Sequence, residues 1–233
     1  MESPVYIQIH NSIKRDIEAG KWNIGDRIPS ERELSVTFGV SRMTLRQAIQ
    51  TLVDEGILER RVGAGTYVAN QKVQEKMSGV TSFTDIMLAQ GKTPSSKTVS
   101  YHVASPSLSE KEKLQLTDDA QILRMERIRY ADDVPISFEV ATVPEELVRK
   151  FSKSEITSSL YRTLESKAGL TLGGAQQTVT AQTASERTAE LLDIKRGDPI
   201  LRLRQLSFLK SGAPFEYVRT QYVGSRFEFY LER

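Results

Sequence analysis

The 233-residue sequence contains no cysteine and only two histidines, His10 and His102. The first absence excludes disulfides, zinc ribbons and thiol catalysis, and it suits a reducing, cytoplasmic setting. Neither histidine has a partner at metal-ligand spacing, so no metal and no other cofactor is expected. Long apolar runs are also missing; each is broken within a few residues, which leaves nothing able to span a bilayer. Met1-Glu2-Ser3-Pro4 has neither a basic cluster nor an apolar core, so no secretory signal is expected there. There is no Gly-x-Ser-x-Gly elbow, so an enzyme is only a secondary alternative, for which carboxylates near arginines could carry acid–base work. An excess of one charge is lacking too, with 32 Lys and Arg against 30 Asp and Glu for a net charge of +2. So even a balance leaves nucleic-acid binding to be decided by local patterning.

What is present fits an ordinary globular protein, 39% hydrophobic and 27% charged, long enough for two domains with separate cores. Tyr6, Ile9, Ile13 and Ile17 recur at helical steps, and Gly20 stops that helix. Ser30 and Glu33 have the spacing of a capping box, so a short second helix begins there and runs to Phe38-Gly39-Val40. Ser41 is a good N-cap for a third helix, in which Leu45, Ala48, Ile49, Leu52 and Val53 share one face. Ile57 to Val62 and Thr66 to Ala69 flank Gly63-Ala64-Gly65 as a hairpin. Three helices and a hairpin make a winged helix-turn-helix, whose third helix would enter the major groove.

The polar side of that helix suits such a role. Met43, Thr44, Gln47, Gln50 and Thr51 oppose the apolar face, and Arg42 and Arg46 lie one turn apart along a flank. Arginine can grip guanine or phosphate bidentately, and Gly63 and Gly65 would let a wing tip approach DNA closely. Each feature alone is equally a solvated edge or an ordinary turn; the ordered combination favours DNA. The run Pro29-Ser30-Glu31-Arg32-Glu33-Leu34, then Phe38-Gly39-Val40-Ser41-Arg42-Met43-Thr44-Leu45-Arg46-Gln47-Ala48, then Gly63-Ala64-Gly65-Thr66-Tyr67-Val68 resembles the GntR family of bacterial regulators over residues 4 to 69. The resemblance implies DNA contacts by Arg32, Arg42, Thr44 and Arg46 and insertion of Gly63 at the wing tip. Ser41, Gln47 and Gly65 complete the expected DNA-binding set. It further implies a homodimer on a palindromic double-stranded operator, with repression as the usual outcome, although activation is not separable by sequence.

Residues 70–79 are polar without a core pattern and read as a linker between domains at 1–69 and 80–233. Beyond them, Gln121 to Tyr130 and Val134 to Val143 flank Asp132-Asp133, and Ile200 to Leu209 and Pro214 to Val223 flank Ser211-Gly212-Ala213. These are two hairpins. Segments 109–116, 144–150, 154–168 and 185–192 look helical, so the second domain is expected to be α+β around an antiparallel sheet. Arg127 and Arg129 alternate on a strand and therefore share a face, where two guanidiniums suit a phosphate or carboxylate. They could equally pair with Glu126 or Glu139 on an exposed strand.

Val80-Thr81-Ser82-Phe83-Thr84, Arg127-Ile128-Arg129-Tyr130 with Pro135 and Glu139, and Phe215-Glu216-Tyr217 with Tyr222 resemble the HutC subfamily, whose UTRA-type effector domain has the fold of chorismate lyase. Similarity to regulators of N-acetylglucosamine use implies that Ser82, Phe83, Thr84, Arg127, Arg129, Glu139, Ser159, Tyr161, Glu216 and Tyr222 surround an amino-sugar phosphate. Glucosamine 6-phosphate and N-acetylglucosamine 6-phosphate are the expected effectors, with trehalose 6-phosphate as the alternative from other relatives.

Overall fold

A computed structural model describes residues 3–69, 72–77 and 80–232. The chain divides into two compact units, Met1–Lys72 and Val73–Arg233. In the first, α1 (Val5–Glu18), α2 (Glu31–Phe38) and α3 (Arg42–Asp54) precede β1 (Leu58–Arg61) and β2 (Gly65–Val68), an antiparallel hairpin. The apolar stripes close a single core: Ile9 and Ile13 from α1, Leu34 from α2, and Leu45, Ala48, Ile49 and Leu52 from α3, sealed by Leu58 and Val68 of the hairpin. The expected capping box forms. Ser30 Oγ accepts from the Glu33 N–H at 3.3 Å, and the Glu33 carboxylate accepts from the Ser30 N–H at 2.8 Å. Gly39 ends α2 at φ 64°, and Ser41 starts α3 by accepting the Thr44 N–H at 3.1 Å. The turn between the two helices is thus fixed at both ends.

The second unit is built on β4 (Pro94–Ala104), β5 (Ile122–Ala131), β6 (Val134–Pro144), β7 (Leu172–Thr183), β8 (Pro199–Leu209) and β9 (Pro214–Val223). They form one antiparallel sheet in the order β4-β5-β6-β9-β8-β7. Both predicted hairpins are there, and Asp132 and Asp133 make the β5–β6 turn with φ of 49° and 64°. Helices α4 (Phe83–Ala89), α5 (Leu108–Leu114), α6 (Glu145–Val148), α7 (Lys153–Ser158), α8 (Leu160–Ser166) and α9 (Glu186–Leu192) complete the α+β unit.

Strand alternation divides the apolar residues of the sheet between its two faces. Met125 and Ala141 pack with Ile156 and Leu160 from α7 and α8 on one face, whereas Ile128 and Phe138 pack with Ala189 and Leu192 of α9 on the other.

Two sequence expectations are corrected. Segment 154–168 is not one helix: Ser159 is extended at φ −157° and separates α7 from α8. Within the expected linker, residues 70, 71, 78 and 79 lie outside the described residues, but Val73–Lys76 form β3, paired in parallel with β10 (Phe227–Tyr230). Val73 and Glu75 are buried while Gln74 and Lys76 are exposed, a strand alternation that two polar outward residues hide in the sequence.

Candidate functional site

In the first unit a groove runs between the start of α2, the flank of α3 and the hairpin. It is lined by Arg27, Ser30, Arg32, Arg46, Arg60, Arg61, Gly63 and Gly65 among others. Four of the eight expected DNA-binding residues meet there: Arg32, Arg46, Gly63 and Gly65. Arg42 and Gln47 are exposed on α3 outside this lining. Ser41 and Thr44 bond hydroxyl to hydroxyl at 2.9 Å, so both serve the helix cap. Sequence reasoning gave no role to Arg27. A Cβ at Gly65, whose φ is +127°, would lie 2.7 Å from Arg27 Nε, so the glycine is what lets that arginine cross the hairpin. Arg60 is held by Glu31 at 3.1 Å and Arg61 lies over the Tyr67 ring at 4.1 Å, which preorganises both wing arginines. His10 is not at the groove; it lies 2.8 Å from Glu55 and ties α1 to the end of α3.

The second unit holds a cavity on the sheet face beside α4, Ser159 and the start of α8, with about 570 Å³ of empty space including its solvent mouth. Nine of the ten expected effector residues line it: Ser82, Phe83, Arg127, Arg129, Glu139, Ser159, Tyr161, Glu216 and Tyr222. Thr84 instead faces an adjoining depression with Ser95, Ser96, Ser154, Thr157 and Ser158, and Arg129 lines both. Cross-strand register explains the convergence. Arg127, Glu139 and Thr220 stand side by side on β5, β6 and β9, and Arg129, Ser137 and Tyr222 form the next row on that face.

The two arginines differ. Arg127 donates through Nε to Glu139 at 2.7 Å and again through Nη2, and its Nη1 donates to the Thr157 carbonyl at 2.9 Å. The helix break at Ser159 leaves that carbonyl within reach. The expected alternative, pairing with Glu139, thus holds for Arg127, but in a buried rather than an exposed setting. Arg129 is only 3% exposed, lies over the Phe83 ring at 4.5 Å, and its Nε and Nη1 have no hydrogen-bond partner among the described residues. Burial, with the neighbouring Arg127 charge, lowers its pKa to about 10.

The carboxylates are driven apart as well. Burial works to raise the pKa of Glu139, but the charges of Arg127 and Arg129 outweigh it, so this group stays below its ordinary value and ionised. Glu216 sits beside hydroxyls instead: Tyr161 OH donates to it at 2.5 Å and Ser207 Oγ at 3.3 Å. Burial raises it to about 7. Tyr161 also accepts from Gln205 Nε2 at 3.1 Å, and burial beside Glu216 pushes its own pKa well up. Ser82 spends its hydroxyl on α4, accepting the Asp85 N–H at 3.1 Å. Glu75, Gln205 and Thr220 line the cavity without having been anticipated. Glu75 lies in a segment read as linker, and Gln205 and Thr220 belong to strands whose inward polar positions resembled ordinary alternation.

The cavity can therefore offer one uncommitted, desolvated guanidinium to an anion, and a cluster of carboxyl and hydroxyl groups to hydrogen-bonding groups beyond it. An arginine-lined winged helix-turn-helix followed by a cavity-bearing unit is the plan of a DNA-binding regulator with a sensor domain. The chain belongs to the bacterial regulatory proteins of the gntR family, whose profile matches residues 5–68, and carries a UTRA domain, matched over residues 89–228. It is 34% identical to the HTH-type transcriptional repressor NagR of Bacillus subtilis, over 99% of this chain and 96% of that protein. The mannosyl-D-glycerate transport/metabolism system repressor MngR of Escherichia coli is 29% identical, over 98% and 95%. Among solved structures, PhnF from Mycobacterium smegmatis aligns with a TM-score of 0.80 at 27% identity, covering 96% of this chain and 98% of that one. A GntR-family regulator from Enterococcus faecalis is 64% identical, covering 60% of this chain and 100% of that one, with a TM-score of 0.57. No helix among the described residues is long and apolar enough to cross a membrane.

Proposed function

We propose that the protein is a homodimeric repressor of amino-sugar utilisation genes, released from or tightened on a palindromic operator by a sugar phosphate. The observation that carries the effector class is Arg129, a buried cation with two N–H groups unpartnered among the described residues, in a cavity that already satisfies its neighbour Arg127. An unmet buried donor costs about 1–3 kcal/mol, and a phosphate supplied by a ligand removes that cost. Glu139 and Glu216 then face the sugar and accept hydrogen bonds from its hydroxyl or amine groups, Tyr161 and Tyr222 hydrogen-bond to it or stack on it, and Ser82, Phe83, Thr84 and Ser159 frame the anionic end. Similarity to NagR over the whole chain supports the amino-sugar class.

In the first unit, α3 lies in the major groove with Arg42, Thr44, Arg46 and Gln47 near base edges and phosphates, and Ser41 at the helix start. Arg32 and the wing at Gly63 and Gly65 grip the backbone. Sugar and operator must alter each other's affinity by the same factor.

The test is thermal denaturation of the intact protein with glucosamine 6-phosphate, N-acetylglucosamine 6-phosphate, trehalose 6-phosphate and the unphosphorylated sugars. At a hundred times Kd a true effector adds about 2.7 kcal/mol. An amino-sugar phosphate should raise the Tm of the parent and raise it less in Arg129→Met, which leaves the Arg127–Glu139 pair intact. A response to trehalose 6-phosphate alone would replace the amino-sugar assignment, and no response to any phosphate would end the effector reading. Absence of affinity for any duplex selected from a random pool at moderate salt would end the DNA-binding one.

A further inference from the structure

β3 follows the first unit directly in the chain, since that unit ends at Lys72 and β3 begins at Val73. Alternation turns Val73 and Glu75 inward. Val73 joins an apolar cluster with Met87, Tyr222 and Phe227, as an inward strand residue should. Glu75, two residues on, is a carboxyl at a position where packing calls for an apolar side chain. It is 8% exposed and lines the same cavity as Arg129 and Glu216. Its one described hydrogen bond is from Tyr222 OH at a long 3.4 Å. Tyr222 itself stacks on Phe227 at 3.9 Å, which fixes the ring that holds the carboxyl. A carboxyl has room for about four hydrogen bonds and here accepts one weak one. A buried polar group so poorly served marks a functional position more often than a structural one.

We propose that Glu75 is the positioning residue through which ligand occupancy reaches β3: a hydroxyl or amine of the bound sugar takes over the Glu75 carboxyl, whose bond from Tyr222 OH is long at 3.4 Å. This rests on the effector reading above and adds to it the element that responds. Exchange of a 3.4 Å bond for a shorter one to the ligand moves or stiffens β3 relative to β10. On its exposed side β3 is anchored through Gln74, whose N–H is bonded to Gln90 at 2.9 Å and whose side chain is bonded to Glu228 at 2.7 Å, so Glu75 is the polar inward contact that a ligand can change. Occupancy therefore changes how the chain leaves the effector unit, and the change starts in the strand that directly follows the DNA-binding unit. Burial raises Glu75 to about 7, in keeping with a carboxyl awaiting a partner. The groups facing it or acting on the Tyr222 that holds it are Tyr222 itself and Glu139, with Arg129 opposing them.

The test uses the full-length protein, a duplex selected from a random pool by the parent, and glucosamine 6-phosphate and N-acetylglucosamine 6-phosphate as probes. Calorimetry gives the probe Kd, and fluorescence anisotropy gives duplex Kd with and without saturating probe, so each variant supplies its own coupling ratio. Typical ratios are about 5- to 150-fold. Glu75→Leu should bind the probe about tenfold more weakly and show a coupling ratio under twofold at saturation. Glu75→Gln, which keeps an acceptor and an ordinary fold, should keep a ratio within threefold of the parent. On probe binding, hydrogen exchange at Gln74 to Lys76 should slow in the parent and stay unchanged in Glu75→Leu. A parent that binds and couples while Glu75→Leu couples equally overturns the role of Glu75 alone. A parent that binds neither probe overturns this role and the amino-sugar effector together.

Discussion

Replacing Arg129 by methionine should make the protein more stable without ligand and insensitive to ligand. The guanidinium is 3% exposed and two of its N–H groups are unpartnered among the described residues. Burial, with help from Arg127, lowers its pKa from 12.5 to about 10, which corresponds to roughly 3 kcal/mol of disfavoured charge. Against this stands the Phe83 ring at 4.5 Å, worth about 1–2 kcal/mol for a desolvated cation. Methionine keeps the apolar stem over Phe83 and brings a sulfur that also favours an aromatic neighbour. Glu139 stays paired with Arg127, so no carboxylate is stranded. The net gain is about 1–2 kcal/mol, or a rise of about 2–8 °C in the melting of a unit this size. Scanning calorimetry of the intact protein reads both effects, first without ligand and then with glucosamine 6-phosphate. A variant that melts below the parent without sugar would show that Arg129 is a structural strut. One that still gains stability from the sugar phosphate would move the anion site elsewhere.

Glu216→Gln should flatten the pH dependence of stability. Burial raises Glu216 from 4.5 to about 7, so its contribution is complete below the unfolded value and lost as pH rises through 7. Urea unfolding at pH 5 and pH 8 should show the parent losing up to roughly 3 kcal/mol more than the variant between the two, with Glu75 supplying a decline of the same sign in both. Arg46→Ala should weaken binding to a selected duplex by about 1–3 kcal/mol; an unchanged salt slope would assign Arg46 to a base edge, and a slope lower by about one would assign it to a phosphate. Ser30→Ala removes an acceptor at the start of α2 and should cost about 1 kcal/mol in the unfolding transition of the first unit.

Residues 4–69 were legible because their signals are local. The Ser30 and Glu33 cap closes over three residues, and the glycines at 39 and 63 occupy left-handed turns at φ 64° and 73°. The β5–β6 and β8–β9 hairpins were legible for the same reason. β4 and β7 were not, because both are edge strands with one-sided or partial burial, and Ser96, Thr98, Thr178 and Thr180 look like loop residues. Alternation correctly put Arg127 and Arg129 on one face. It could not assign Glu139 to one of them, since that choice is made by the register of β6. The break at Ser159 carries no glycine or proline, and it is accompanied by a tertiary bond from Arg127 to Thr157. Glu75 was hidden by distance: β3 pairs with a strand more than 150 residues further along.

The sheet order carries a consequence for the protein while it is being made. β6 and β9 are neighbours in the middle of the sheet although β7 and β8 come between them in the chain, and the cavity needs both, up to Tyr222. The core of the first unit is complete by Val68. At about 5–20 residues per second, the ribosome takes roughly 10–30 s to cover the interval between them. Throughout that time the nascent chain has the core of its first unit complete and the cavity of its second still unmade, so the two functions of the chain come into being one after the other.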